Sequence, residues 1–539
     1  MHNSKREHWL ATGLAALCLI WLAGWLPHYL RWPWWIDLDT YAWVAQGWTV
    51  GRLPYRDVVV FNAPGQIYLF LGLGSVFGWG HTAALYAADA SLLGLLCVGV
   101  CWWSRRELGK TVPGLLACVM ILAYYLDQDY RNVAQRDWHG PLLAAIGLLV
   151  LQATRCRKGL ILAAIAFAAA CVVRPHVVLL FPAYLVSLSS RNPSQAIRLR
   201  GSLRTIVAFL AIVMLTCALA ALPFVLGGAL GGAGSAVKAA TYGTRYAQMG
   251  KFQPLDVFAW QLGLTAPNAT LREPVGWFRQ VDRIKLIVVV MCSCALLFLR
   301  NCTPRVRFVR VSWVVAAISV LAYAPLHPMR HLYLAHPLRL VVAVNLALVA
   351  AWLLDTAKSS RSYLGFSLVL TLVAAMPGWP RFWDPLASAQ SLSTLWQGTE
   401  PVQVPLGAAD HFAPGDQRSP YTWRDYRAAL AHLRSTTQRE SVVFNLLRNV
   451  PFPAINGPIG RPTLLDAEGG IAFLYLVNPR HEAEFAKSVA SAPAGSVVVC
   501  DFDRESFTPD LTLPILEQAV NTHYTREAQF GSIEIWRKK

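Results

Sequence analysis

Residues Trp9 to Leu30 read WLATGLAALCLIWLAGWLPHYL, an uncharged run of 22 residues that follows Lys5 and Arg6. At about 1.5 Å per residue a helix of that length crosses a hydrocarbon core of roughly 30 Å. The run continues into Arg31-Trp32-Pro33-Trp34-Trp35 without a small-residue cleavage site. It therefore reads as an uncleaved first membrane span with an aromatic interfacial belt and a cytoplasmic N-terminus.

The rest of the chain has the same character. Of its 539 residues 55% are hydrophobic and 14% charged, where a soluble domain carries about a quarter charged residues, which excludes an ordinary soluble enzyme. Further spans are expected near 82–103, 111–126, 138–154, 159–173, 175–190, 205–226, 284–299, 311–326, 338–354 and 362–376, about eleven with the first. Residues 377–539 hold 15 Lys+Arg and 17 Asp+Glu, so 33 of the chain's 48 basic residues and 13 of its 30 acidic ones lie in residues 1–376. The positive excess belongs to the apolar part and fits cytoplasmic loops; no nucleic-acid partner is expected.

Pro64 to Gly80 is apolar but short, with five glycines, Gly65, Gly72, Gly74, Gly78 and Gly80. If it does not cross, the short basic loops around Arg105-Arg106, Arg155 to Lys158, Arg191 to Arg204, Arg300 to Arg310 and Lys358 to Arg361 fall on one side, as short cytoplasmic loops do. The segment is accordingly placed as juxtamembrane or re-entrant on the outer face. The outer side then holds loops 31–81 and 227–283 and most acidic residues of the membrane part, while Asp89 alone lies well within a span. That distribution argues against an ion-coupled transporter, which tends to keep carboxylates at mid-membrane.

Residues 1–376 thus form a transmembrane module, and 377–539 an extracytoplasmic α/β domain. In the latter, Ser441 to Leu447, Ser496 to Asp501 and Ser532 to Trp536 have the apolar runs of strands, and Trp423 to Ser435 and Pro479 to Ala492 have helical spacing. Cys500 is the only one of the 11 cysteines in this region, so the domain has no internal disulfide.

Three stretches of the first outer loop, Asp37-Leu38-Asp39-Thr40-Tyr41, Gly51-Arg52-Leu53-Pro54-Tyr55-Arg56-Asp57 and Ala63-Pro64-Gly65-Gln66-Ile67-Tyr68, resemble the corresponding loop of the GT-C membrane glycosyltransferases. That superfamily includes protein O-mannosyltransferases and aminoarabinose transferases of lipid A. Gln135-Arg136-Asp137-Trp138, Arg174-Pro175 and Arg330-His331-Leu332-Tyr333 resemble, in the same order, its acidic second outer loop, a Lys/Arg-Pro pair and an Arg/His-aromatic turn. The resemblance covers roughly residues 9–380, and the C-terminal domain lies outside it.

The resemblance implies an inverting glycosyltransferase of GT-C-like fold in a bacterial cytoplasmic membrane. It would take a polyprenyl-phosphate-linked sugar and transfer it to a glycan, lipid or protein acceptor on the outer face. A carboxylate there would accept the acceptor's proton; Asp37 is the first candidate, Asp39 the second, with Asp39 also readable as a helix N-cap. Asp137 is a third catalytic candidate, to bind or orient the acceptor or to polarise the base, with a surface residue capping the fourth span as the other reading. Tyr55, Arg56, Arg174, Arg245, Lys251, Arg330, His331 and Tyr333 are candidates for substrate contact, the cations as partners of the leaving phosphate; for any single one of Arg174, Arg245, Lys251, Arg330 and His331 interfacial anchoring is the better account. No cofactor is expected; Asp37-Leu38-Asp39 matches a metal-binding DxD pattern, which is common by chance. The alternatives are a lipid-linked glycan transporter or a non-catalytic partner in envelope-glycan assembly.

Overall fold

The computed structural model describes residues 2–154, 156–189, 199–232, 274–298, 304–322, 335–357, 359–376, 380, 382–394, 421–448, 453–476, 478–502 and 512–539. The chain divides into two compact units that are each discontinuous in sequence. One comprises Met1–Leu26, Ala88–Ala220 and Lys251–Ser388; the other comprises Pro27–Ala87, Ala221–Gly250 and Ala389–Lys539.

The first unit is helical. Its central helix, His336–Thr356, packs against Val112–Tyr125, Arg136–Ala153, Pro274–Ala295, Pro304–Leu321 and Ser360–Ala375. Arg136–Ala153 and Arg157–Val173 form a tight hairpin. Gly147 permits the approach, since a Cβ there would lie 3.1 Å from the Ala163 carbonyl oxygen and 2.5 Å from the Tyr184 hydroxyl.

Over their described residues the stretches expected to span are largely helical, but the count of spans needs correction. Among the described residues four helices, Arg6–Tyr29, Thr82–Glu107, Leu203–Leu226 and His336–Thr356, are long and apolar enough to cross a membrane, rather than eleven. Length limits some helices: Val112–Tyr125 has 14 residues, about 21 Å of helix; others, such as the 18-residue Arg136–Ala153 and Pro304–Leu321, are long enough but carry polar and charged residues. Gly65–Phe77, in the segment placed as juxtamembrane, has 13 residues. Leu203–Leu226 is the opposite case, apolar on all sides and largely exposed, as expected of a helix that faces lipid. The chain is a polytopic α-helical membrane protein with a small β-containing C-terminal region.

That region folds in the second unit around a four-stranded sheet of order β1-β2-β4-β3, with β1 Val443–Leu446, β2 Val497–Cys500, β3 Tyr524–Phe530 and β4 Ile533–Lys538. β1 and β2 are parallel; β4 pairs antiparallel with both β2 and β3. Leu446, Val498, Cys500, Phe485, Val489, Leu516 and Val520 are buried in one core.

The same unit contains Pro27–Ala87, the segment after the first apolar helix, whose backbone joins the C-terminal region. Val59 N–H donates to Asp466 O at 2.7 Å and Glu468 N–H to Val59 O at 2.8 Å. Phe61 stacks on Phe473 at 5.3 Å. The Arg52 guanidinium donates to the carbonyls of Thr463, Leu464 and Leu465 at 2.6, 3.3 and 2.8 Å. Gly460 adopts φ +66°, and a Cβ there would meet the Trp79 carbonyl carbon at 2.6 Å, so only glycine allows this crossing.

Candidate functional site

In the second unit Asp37 and Asp39 lie in the first turn of the helix Ile36–Thr49, where the helix dipole favours negative charge. Two residues apart on a helix, they do not face each other, which removes the chelating geometry that the DxD pattern suggests. Nor does Asp39 cap the helix: the N-cap is Trp35, with no side-chain cap bond. Asp39 is 1% exposed and accepts hydrogen bonds from Ile455 N–H at 3.2 Å and from Gly457 N–H. Burial pushes its carboxyl up to about 6, against the opposing pull of those N–H groups. Asp37 is half-buried on the same turn.

Tyr55 is buried, takes φ +68°, and donates its hydroxyl to Asn62 O at 2.5 Å; burial raises that hydroxyl's pKa. Arg56 is exposed and paired with Asp57 at 2.7 Å; its hydrogen bonds hold Asp57 below the usual carboxylate range.

In the first unit the Gln135 to Trp138 motif opens the helix Arg136–Ala153. Asp137 is 1% exposed, with Oδ1 2.8 Å from Arg174 Nε and Oδ2 3.5 Å from Arg136 Nε. Pro175 explains the placement of Arg174. A residue before proline is driven out of the α region, and Arg174 takes φ −145° and ψ 99° where the helix Arg157–Val173 stops. The structure thus brings together two candidates that the sequence nominates separately. A buried pair of this kind is sensitive to loss of either partner, which leaves an uncompensated charge.

Beside Asp137, Trp138 stacks on Tyr125 with ring centroids 4.5 Å apart and lines a pocket with Met120, Ile121, Tyr124, Lys285, Arg339 and Leu340. His336 Nε2 donates to Asn132 O at 2.7 Å, so its Nδ1 accepts from the Tyr124 hydroxyl at 2.8 Å. Arg339 lies 5.2 Å above the Tyr124 ring, held there by cation–π attraction. Lys285 Nζ donates to Met376 O at 2.6 Å. This small pocket therefore brings together two cations, two aromatic rings and an aliphatic wall.

Sequence reasoning passed over Lys285 and Arg339, which stand where charged residues meet apolar runs. Arg245, Lys251, Arg330, His331 and Tyr333 lie outside the described residues. Among the described residues no group of three or more His, Cys, Asp or Glu is placed to hold a metal ion.

Fold and site together define a multi-pass helical membrane protein with a buried carboxylate–guanidinium pair beside a basic, aromatic pocket. No family model matches the sequence, and no curated protein matches it. Among solved structures the chain is similar to ArnT from Cupriavidus metallidurans in the apo state, with 13% identity, a TM-score of 0.39, and 98% of this chain and 97% of that one covered. It is also similar to ArnT from the same organism bound to undecaprenyl phosphate, with 13% identity, a TM-score of 0.40, and 97% of each chain covered.

Proposed function

We propose that the protein is an inverting glycosyltransferase that takes a sugar from a polyprenyl-phosphate donor and passes it to an envelope acceptor on the outer face of a cytoplasmic membrane. The observation that carries this reading is the Asp137–Arg174 pair one residue from the Lys285–Arg339 pocket. The ordered outer-loop motifs of the sequence support it. In the reaction the acceptor hydroxyl or amine attacks the anomeric carbon and gives its proton to a carboxylate, for which the first-loop motif of the sequence, independently of the pocket, nominates Asp37. The bond from that carbon to the phosphate oxygen breaks, and the electron pair leaves with the phosphate. Lys285 and Arg339 stabilise the added negative charge, and Tyr124 and Trp138 contact the start of the lipid chain. Arg174 fixes the orientation of Asp137, the candidate for binding the acceptor.

The test is incubation of the purified protein in lipid with a panel of radiolabelled polyprenyl-phosphate sugars, following transfer or slow hydrolysis. Asp37→Asn should lower turnover by about 10²-fold or more. Lys285→Ala and Arg339→Ala should each raise the donor KM by about tenfold. If no donor loses its sugar to an acceptor or to water, the reading falls.

A further inference from the structure

Asp89 is a fully buried carboxylate in a membrane-spanning helix, Thr82–Glu107, and the transfer chemistry gives it no part. A carboxylate at that depth is costly unless its oxygens are bound, and both are. Oδ2 accepts from the Tyr125 hydroxyl at 2.7 Å, and Oδ1 accepts from His139 Nε2 at 2.8 Å. The Tyr125 hydroxyl is itself an acceptor, taking the Ala134 N–H at 2.9 Å.

Ala134 is where the geometry is demanding. It takes φ +54°, a left-handed conformation that alanine rarely adopts. It stands immediately before Gln135, the N-cap of the helix that carries Asp137 and Trp138 in its first turn. The ring of Tyr125 stacks on Trp138, and His139 lies one residue further on. Asp89 thus holds one side chain whose hydroxyl fixes the turn and whose ring fixes the tryptophan, and a second side chain on the helix itself.

We propose that Asp89 and Tyr125 are positioning residues that set the 134–138 turn and through it the orientation of Asp137; the catalytic consequence rests on the transferase reading. This assigns the buried acid to orientation, where an intramembrane carboxylate would ordinarily suggest ion or proton transport.

The experiment compares wild type with Tyr125→Phe, which keeps the stacked ring and removes only the hydroxyl, and with Asp89→Asn, all in lipid. Two readouts are taken: amide hydrogen exchange over residues 134–138, and steady-state transfer. Tyr125→Phe should fold, speed exchange in that stretch by about tenfold, and lower kcat by about tenfold while the donor KM moves less than twofold. Unchanged exchange at 134–138 overturns the proposal whether or not transfer is seen. Faster exchange with wild-type kcat overturns the link to Asp137. A wild type that transfers nothing from any donor defeats the transferase reading, while faster exchange in Tyr125→Phe still supports the positioning of the turn. Asp89→Asn should reproduce the exchange change; if it fails to fold, the result with Tyr125→Phe alone decides.

Discussion

The Asp39 carboxyl sits where water does not reach, and two influences on it oppose each other: burial raises its pKa, and the Ile455 and Gly457 N–H groups lower it. Burial prevails, leaving a folded value of about 6 against roughly 3.9 in the unfolded chain. The folded state then binds the proton more tightly. The group's contribution to stability is fully present below about pH 4 and is lost as pH rises through about 6, up to about 3 kcal/mol in all. We expect thermal unfolding in detergent to show a component that weakens from pH 4.5 to pH 7.5, and Asp39→Asn to flatten it. A wild-type pH slope in the Asp39→Asn protein would refute this. Transfer activity should survive the change if Asp37 is the base. Local sequence nominates both acids because both lie in the same motif. What separates them is a partner segment 416 and 418 positions away, which no spacing within the motif reveals.

Helices and strands differ in how far their own residues announce them. β1, β2 and β4 are apolar runs, and the sequence locates all three. β3, Tyr524-Thr525-Arg526-Glu527-Ala528-Gln529-Phe530, is not so marked, because it is an edge strand whose middle residues Thr525 to Glu527 are exposed; charge on an edge protects against unwanted pairing and hides the strand from a search for apolar runs. In the first unit the elements are joined by a buried polar hub that hydropathy also conceals. Gln152 Oε1 accepts from Trp103 Nε1 at 2.8 Å and Trp313 Nε1 at 3.0 Å, while its Nε2 donates to Ser187 and Ser312 hydroxyls at 3.0 and 3.1 Å. Interhelical hydrogen bonds in membranes are worth about 0.6 to 2 kcal/mol each. Gln152→Leu, similar in size and without the amide, should therefore lower the stability of the helical unit by about 2 to 4 kcal/mol. Gln152→Glu should be milder, since its carboxyl can still accept from both tryptophans. Equal melting temperatures for wild type and Gln152→Leu would show that the hub does not join the helices energetically.

At the scale of the whole molecule, hydropathy reveals the helices because their residues are apolar whether or not the helix is long enough to cross, and length then separates the four candidate spans from the shorter ones. The second unit has no such local signature. It is assembled from Pro27–Ala87, Ala221–Gly250 and Ala389–Lys539, and its joints are backbone pairings such as Val59 with Ala467. The basic loops of the sequence lead us to expect the second unit on the outer face. Cys500, the native cysteine of the C-terminal region, is buried in β2, so its failure to react would say nothing about sidedness. Gln518, exposed on the helix Pro514–His523, is the better reporter, with the exposed native Cys156 for the opposite face. In cells carrying Gln518→Cys, a membrane-impermeant maleimide should modify position 518 while the cells are intact and reach Cys156 only after permeabilisation. The reverse pattern would put the outer-loop carboxylates in the cytoplasm, and the proposed site of transfer would then be on the wrong side.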